Sequence, residues 1–118
     1  MKIQITHLVV EFKDCQCELS NANFVKRALR QSIRETGLTA LHTYFHNFKP
    51  QGTTGMILLR ESHVAIHTWP EHRYASVDIM TCGKKKDALR ALRSLVRNLR
   101  PKRIERQELR RGTGFKLR

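Results

Sequence analysis

Apolar positions recur along this chain with two periods, near two and near 3.6. They predict a succession of short strands interrupted by two helices. Residues 3–12, IQITHLVVEF, are rich in β-branched and apolar side chains and predict a strand. Residues 21–35 carry Phe24, Val25, Ala28, Leu29 and Ile33 at helical spacing, with Ser20 or Asn21 as the cap and Gly37 as the stop. Residues 39–48 alternate loosely through Thr43, Tyr44 and Phe45 and predict a second strand, closed by the turn signal Pro50-Gln51-Gly52. Residues 54–59, 64–68 and 76–80 predict three more, with Trp69-Pro70 ending one of them because proline cannot donate to a ladder.

Residues 85–100 give the clearest helix. Ala88, Leu89, Leu92, Leu95, Val96 and Leu99 share one face, Lys86, Arg90, Arg93, Arg97 and Arg100 another, and Pro101 ends it. Residues 104–109 predict a last strand, followed by a loosely held tail, RRGTGFKLR. The order strand-helix-four strands-helix-strand implies an α+β fold: a two-layer α/β sandwich, a largely antiparallel sheet with both helices on one face. The 118 residues make a single domain, without repeat or linker.

Composition sharpens this only in part. With 40% hydrophobic and 28% charged residues the chain reads as an ordinary globular protein. Its apolar runs are too short for a transmembrane helix, and the N-terminus lacks the apolar core and cleavage site of a signal peptide, so a cytoplasmic location is expected. Three cysteines, Cys15, Cys17 and Cys82, cannot all pair within one chain, which argues for reduced thiols. Cys15-Gln16-Cys17 is C-x-C, not the C-x-x-C of zinc knuckles. The net charge of +13 is concentrated in residues 84–118, where fourteen Lys and Arg face three acids. Residues 1–83 contribute only +2, nine basic against seven acidic. Such an excess favours polyanions, so a basic nucleic-acid-binding protein is one reading. The arginine row, however, lacks the interleaved aromatics that stack bases.

Residues 61–83, ESHVAIHTWPEHRYASVDIMTCG, hold three of the six histidines, the tryptophan and one cysteine. A hydroxyl, imidazoles, carboxylates and a thiol gathered this closely suggest an active site. A metal site is not expected. His63 and His67 stand four apart on a predicted strand, about 13 Å, too far to share one ion, and His42 and His46 fail likewise. Ser62 has no G-x-S-x-G setting, so a hydrolase nucleophile elbow is not supported either.

The segment resembles the prokaryotic S-adenosylmethionine decarboxylase proenzymes, a pyruvoyl-dependent family. The matching residues are Glu61-Ser62-His63, Ile66-His67-Thr68-Trp69-Pro70-Glu71, Tyr74-Ala75, Val77-Asp78 and Thr81-Cys82-Gly83. Upstream, His7-Leu8-Val9, Glu11-Phe12, Phe45-His46-Asn47-Phe48, Gly52 and Gly55 extend the likeness over most of residues 5–83. The resemblance implies self-cleavage between Glu61 and Ser62 into a 1–61 chain and a 62–118 chain. The Ser62 hydroxyl would attack the preceding carbonyl, and elimination and hydrolysis would leave a pyruvoyl group that forms a Schiff base with the substrate amine. By the family's pattern His67 assists processing, Cys82 donates the proton to the decarboxylated carbon, and Thr54 stands where serine is usual. Phe48, Trp69 and Glu71 match substrate-binding positions, the aromatics for adenine and the acid for ribose hydroxyls.

The implied product is decarboxylated S-adenosylmethionine for spermidine synthesis, made by a homodimer of processed protomers. Neither a metal nor a diffusible cofactor is implied. His72-Arg73 departs from the usual Tyr-Gly pair, which leaves arginine or ornithine open as substrates for the same machinery.

Overall fold

In the computed structural model, which describes residues 3–60 and 62–116, the chain runs β1 (Ile5–Cys15), α1 (Ala22–Arg34), β2 (Ala40–Asn47), β3 (Thr53–Leu59), β4 (Ser62–Trp69), β5 (Tyr74–Cys82), α2 (Lys85–Leu99) and β6 (Pro101–Arg111). A short 3-10 turn, Pro70–His72, joins β4 to β5. The strands form one sheet in the order β2-β3-β4-β5-β1-β6, antiparallel throughout. Both helices cover one face, giving the two-layer sandwich that the order of elements predicts.

Alternation along the strands assigns each side chain to a layer. Leu8, Val10 and Phe12 of β1, Val64 and Ile66 of β4, and Val77 and Ile79 of β5 point under the helices and are fully buried. Val25, Leu29, Leu95 and Leu99 close over them from the helices. Each such side chain contributes about 1.5–3 kcal/mol by leaving water, which makes this layer the main source of stability. The opposite face has no second layer within the chain.

The helix ends follow local rules. Asn21 caps α1, its side chain accepting from the Phe24 amide at 3.1 Å. Helix α1 stops at Arg34, before Gly37, whose amide donates to Asp87 Oδ1 at 3.2 Å and ties the loop to the start of α2. Arg100 takes a left-handed conformation (φ 49°) that closes α2, and Pro101 begins β6 directly.

Several boundaries differ from the pattern-based reading: β4 and β5 run beyond 64–68 and 76–80, to Ser62–Trp69 and Tyr74–Cys82, and β1, β6 and the tail differ as well. Strand β1 continues past Phe12 to Cys15, because β6 pairs alongside as far as Cys15↔Pro101. Strand β6 spans Pro101–Arg111, not the shorter 104–109. It is an exposed edge whose ladder to β1, not a buried face, fixes its length. The basic segment after it is not simply loose: Arg110 and Arg111 lie in the strand, and the Ile3 amide donates to the Phe115 carbonyl at 2.8 Å. Charges along β6, among them Lys102, Arg103, Glu105, Arg106 and Glu108, guard the edge against pairing with another chain.

Candidate active site

Ser62 is the first residue of β4, directly after the turn that follows β3, and pairs with Leu59 across it. Glu61, the other residue at the expected cleavage point, lies outside the described residues. Ser62 is buried, on the helix side of the sheet, and its hydroxyl donates to the Arg60 carbonyl at 3.1 Å. The register His63↔Met80 sets Thr81 opposite Ser62, with Cys82 next along β5. Cys82 is half-buried and pairs with Ile5 at the strand's end.

Thr54 and His67 form a second group. They are register partners across β3 and β4, and Thr54 Oγ1 lies 3.0 Å from His67 Nδ1. That contact fixes the imidazole plane and directs Nε2 away from Thr54. Trp69 lies beyond, its ring centroid 6.4 Å from that of His67, and stacks on Tyr74 at 5.3 Å. Tyr74 donates in turn to Glu11; burial, then this bond to Glu11, pushes its phenol above the usual range. A chain from Glu11 through Tyr74 thus holds the tryptophan ring in place. Phe48 lies at the same end: its amide bonds to Gly52, and a Cβ on Gly52 would meet the Thr68 carbonyl, Pro70 and Phe48. Glu71 follows on the Pro70–His72 turn, exposed. Phe48 and Trp69 are 52% and 41% exposed, unusual for large aromatics and suited to stacking on a ligand.

The structure therefore splits the sequence cluster in two. Ser62 and Cys82 occupy one end of β4 and β5; Thr54, His67, Trp69, Phe48 and Glu71 occupy the other. From Ser62 to His67 is about 16 Å of extended strand, and alternation puts the two on opposite faces. His63 and His67 share the open face at about 13 Å separation. Among the described residues, no group of three or more His, Cys, Asp or Glu is placed to hold a metal ion. A cleft of about 420 Å³ opens beside the Cys82 end, lined by Thr6, Gly83, Lys85, Arg110 and Arg111 among others. It contains no aromatic side chain, so an adenine ring has nothing to stack on there.

Three features escaped sequence reasoning. Thr81 Oγ1 is fully buried and without a hydrogen-bond partner among the described residues, beside Ser62. The signal was its place just before Cys82. His7 Nε2 lies 3.1 Å from Asp78 Oδ1 on the open face, while His7 Nδ1 is buried and has no hydrogen-bond partner among the described residues. Arg73, two residues after Glu71, adopts a left-handed conformation, and its carbonyl accepts from the Cys15 amide.

On the open face Tyr44 of β2 and Met56 and Leu58 of β3 are 67%, 46% and 49% exposed and adjoin by register, while Leu109 of β6, 45% exposed, lies at the opposite edge of the sheet.

Comparisons with known proteins establish the family and the fold. The family model for S-adenosylmethionine decarboxylase matches residues 6–112. An S-adenosylmethionine decarboxylase proenzyme from Persephonella marina is 43% identical over 96 residues, 81% of this chain and 72% of its own length. One from Thermotoga petrophila is 40% identical over 113 residues, 95% of this chain and 87% of its own. The crystal structure of the adenosylmethionine decarboxylase from Aquifex aeolicus superposes with a TM-score of 0.91 at 31% identity, over 100% of this chain and 98% of that one. The chain belongs to the S-adenosylmethionine decarboxylase family and is an enzyme of the carboxy-lyase class.

Proposed function

We propose that the chain cuts its own backbone between Glu61 and Ser62, and that the pyruvoyl group left at residue 62 serves decarboxylation of S-adenosylmethionine. The observation that carries this reading is Ser62 itself: first in β4, buried, its hydroxyl turned back along the chain to the Arg60 carbonyl at 3.1 Å. In the proposed step the hydroxyl attacks the carbonyl carbon of residue 61. The oxygen–carbon bond forms as the peptide C–N bond breaks, the Ser62 nitrogen takes a proton, and an ester replaces the amide. Loss of the Ser62 α-proton then expels residue 61 as a carboxylate, and hydrolysis of the dehydroalanine releases ammonia. Serine fits because its β-oxygen is the leaving group.

The pyruvoyl group supplies an electron sink for the pair left by the departing carboxylate. His67, oriented by Thr54, moves protons during cleavage. Cys82 returns a proton to the substrate carbon. Phe48 and Trp69 stack on adenine and the adjoining sulfonium, and Glu71 binds the ribose hydroxyls. The product is the aminopropyl donor for spermidine synthesis.

A homodimer resolves the split site. Two sheets packed face to face about a two-fold axis, strands antiparallel, set the His67–Trp69 end of one protomer over the Ser62–Cys82 end of its partner, twice per dimer. Met56 and Leu58, exposed on β3 of the open face, fall within that contact. Met56→Asp with Leu58→Asp therefore yields a monomer by sedimentation velocity, with helix content unchanged by circular dichroism and decarboxylation lost. A dimer surviving both substitutions overturns this interface.

The alternative of a nucleic-acid module finds less support. The row Lys86, Arg90, Arg93, Arg97 and Arg100 is exposed, but Arg97 is engaged by Glu35 and Arg100 by the Gln16 carbonyl at 2.8 Å. No helix among the described residues is long and apolar enough to cross a membrane. Borohydride trapping with labelled S-adenosylmethionine, arginine and ornithine in parallel tests reaction and substrate together. Label is expected on the 62–118 chain from S-adenosylmethionine alone. Label from arginine or ornithine instead would reassign the substrate, and none from any of the three would remove the ketone.

A further inference from the structure

Cys15 and Cys17 take no part in the chemistry assigned above. We propose that they form a peroxide-responsive dithiol, in which Cys17 is the attacking sulfur and Cys15 resolves it to a disulfide.

The two thiols differ in exposure. Cys15 closes β1, is 1% exposed and directs Sγ at the Phe12 carbonyl, 3.7 Å away. Cys17 is half-buried and lines a cleft of about 350 Å³ with Glu18, Pro70, Arg73 and Arg100. A small oxidant that enters this cleft meets Cys17 and not Cys15.

The backbone between them is pinned from two sides. The Cys15 amide donates to the Arg73 carbonyl at 3.0 Å, and the Gln16 amide to the Arg100 carbonyl at 2.9 Å. Arg100 Nη2 returns a bond to the Gln16 carbonyl at 2.8 Å, which brings a guanidinium beside the Cys17 sulfur. Each thiol is the largest influence on the other's acidity. The strand ends at Cys15 and the chain bends at Cys17, so the two Cα atoms are closer than the roughly 6.6 Å of two fully extended residues, inside the Cα separation of about 4.4–6.8 Å that a disulfide needs.

Charge divides the roles in the same sense. The Cys15 thiol, with Cys17's own backbone amide and Arg100, holds the Cys17 thiol below its ordinary value against burial and Glu18. The Cys17 thiol, burial and Asp14 push the Cys15 thiol up. Cys17 is thus the more readily deprotonated sulfur, and Cys15 holds its proton more tightly. An accessible thiol with a lowered pKa beside a second, buried thiol is the arrangement of a redox-sensing pair.

The steps balance. Cys17 thiolate attacks one oxygen of hydrogen peroxide, the O–O bond breaks and hydroxide leaves, giving a sulfenic acid. Cys15 sulfur then attacks Cys17 sulfur, the S–O bond breaks, and the departing hydroxide takes the Cys15 proton as water. Two thiols are oxidised to one disulfide and the peroxide is reduced to water. The proposal does not depend on the decarboxylase reading: Cys82 pairs with Ile5, ten residues back along β1, about 33 Å of strand away.

The test is peptide mapping of the full-length protein after hydrogen peroxide, with free thiols alkylated before tryptic digestion. Residues 14–26, DCQCELSNANFVK, carry both cysteines on one peptide, separate from Cys82. The expected peptide is unalkylated and about 2 Da lighter than its reduced form, and dithiothreitol restores two alkylations. Cys15→Ala leaves a sulfenic acid on Cys17 that dimedone captures, and Cys17→Ser leaves Cys15 unoxidised at the same dose. Circular dichroism confirms that both variants fold. Two alkylated cysteines after peroxide treatment overturn the proposal, as does dimedone on Cys15 in the Cys17→Ser chain.

Discussion

Co-expression of a Cys82→Ala chain with a His67→Ala chain restores about one quarter of wild-type decarboxylation, although each chain alone is inactive. The expectation comes from the distance between the two groups of functional residues. Ser62 and Cys82 lie at one end of β4 and β5, and Thr54 and His67 about 16 Å along the strand at the other. No side-chain rotation closes such a gap within one antiparallel sheet. In a two-fold dimer, each site takes its ketone and thiol from one protomer and its imidazole from the other. A mixed dimer then has one site with both substitutions and one with neither. Random pairing makes half of the dimers mixed, and half of their sites are intact, hence the quarter. Labelled carbon dioxide release measures it. Zero recovery in a mixture shown by mass spectrometry to contain mixed dimers would place the whole site within a single chain.

The opposite inference was natural from the sequence, and the reason is geometric. Residues 61–83 look like one site because they are adjacent on paper, but a strand separates neighbours by 3.3 Å each and turns alternate ones to opposite faces. The same alternation made the core legible. Residues 64–68 and 76–80 read as strands, and Val64, Ile66, Val77 and Ile79 within them are buried. Helix α2 was legible almost to the residue, because its apolar stripe repeats at 3.6 and Pro101 bounds it. Strand β6 was shortened, since none of its residues is buried and its length comes from ladder bonds to β1, which leave no trace in hydropathy. The left-handed Arg73, tied through its carbonyl to Cys15, was equally invisible: a non-glycine residue at φ 50° has no sequence signal beyond the turn around it. Phe45 and Gly55 show the reverse case. Their pairing in the family-like motif is explained by the ring lying where a Cβ on Gly55 would be, 2.4 Å from its carbons.

Ser62→Ala is expected to leave a single 13.8 kDa band on a denaturing gel and no decarboxylation, where two fragments are expected of the wild-type chain. The substitution removes one hydrogen bond, Oγ to the Arg60 carbonyl, worth about 0.5–1.5 kcal/mol. That is too little to unfold a domain whose core is untouched, so loss of both properties reports chemistry and not stability. The wild-type fragments nonetheless stay together under native conditions. The 1–61 chain contributes β1, α1, β2 and β3, and β1 is inserted between β5 and β6 of the 62–118 chain. Separating them means breaking two ladders on β1 and the β3–β4 ladder, with the core exposed as well. Cutting at the turn before Ser62 costs the sheet little by comparison, because each flanking strand keeps its outer partner: β2 for β3, β5 for β4. Size-exclusion chromatography of the wild type is therefore expected to give one peak containing both fragments. A wild-type chain that stays intact and resists hydroxylamine would remove self-cleavage from the mechanism. Fragments that separate without denaturant would contradict the interleaved sheet.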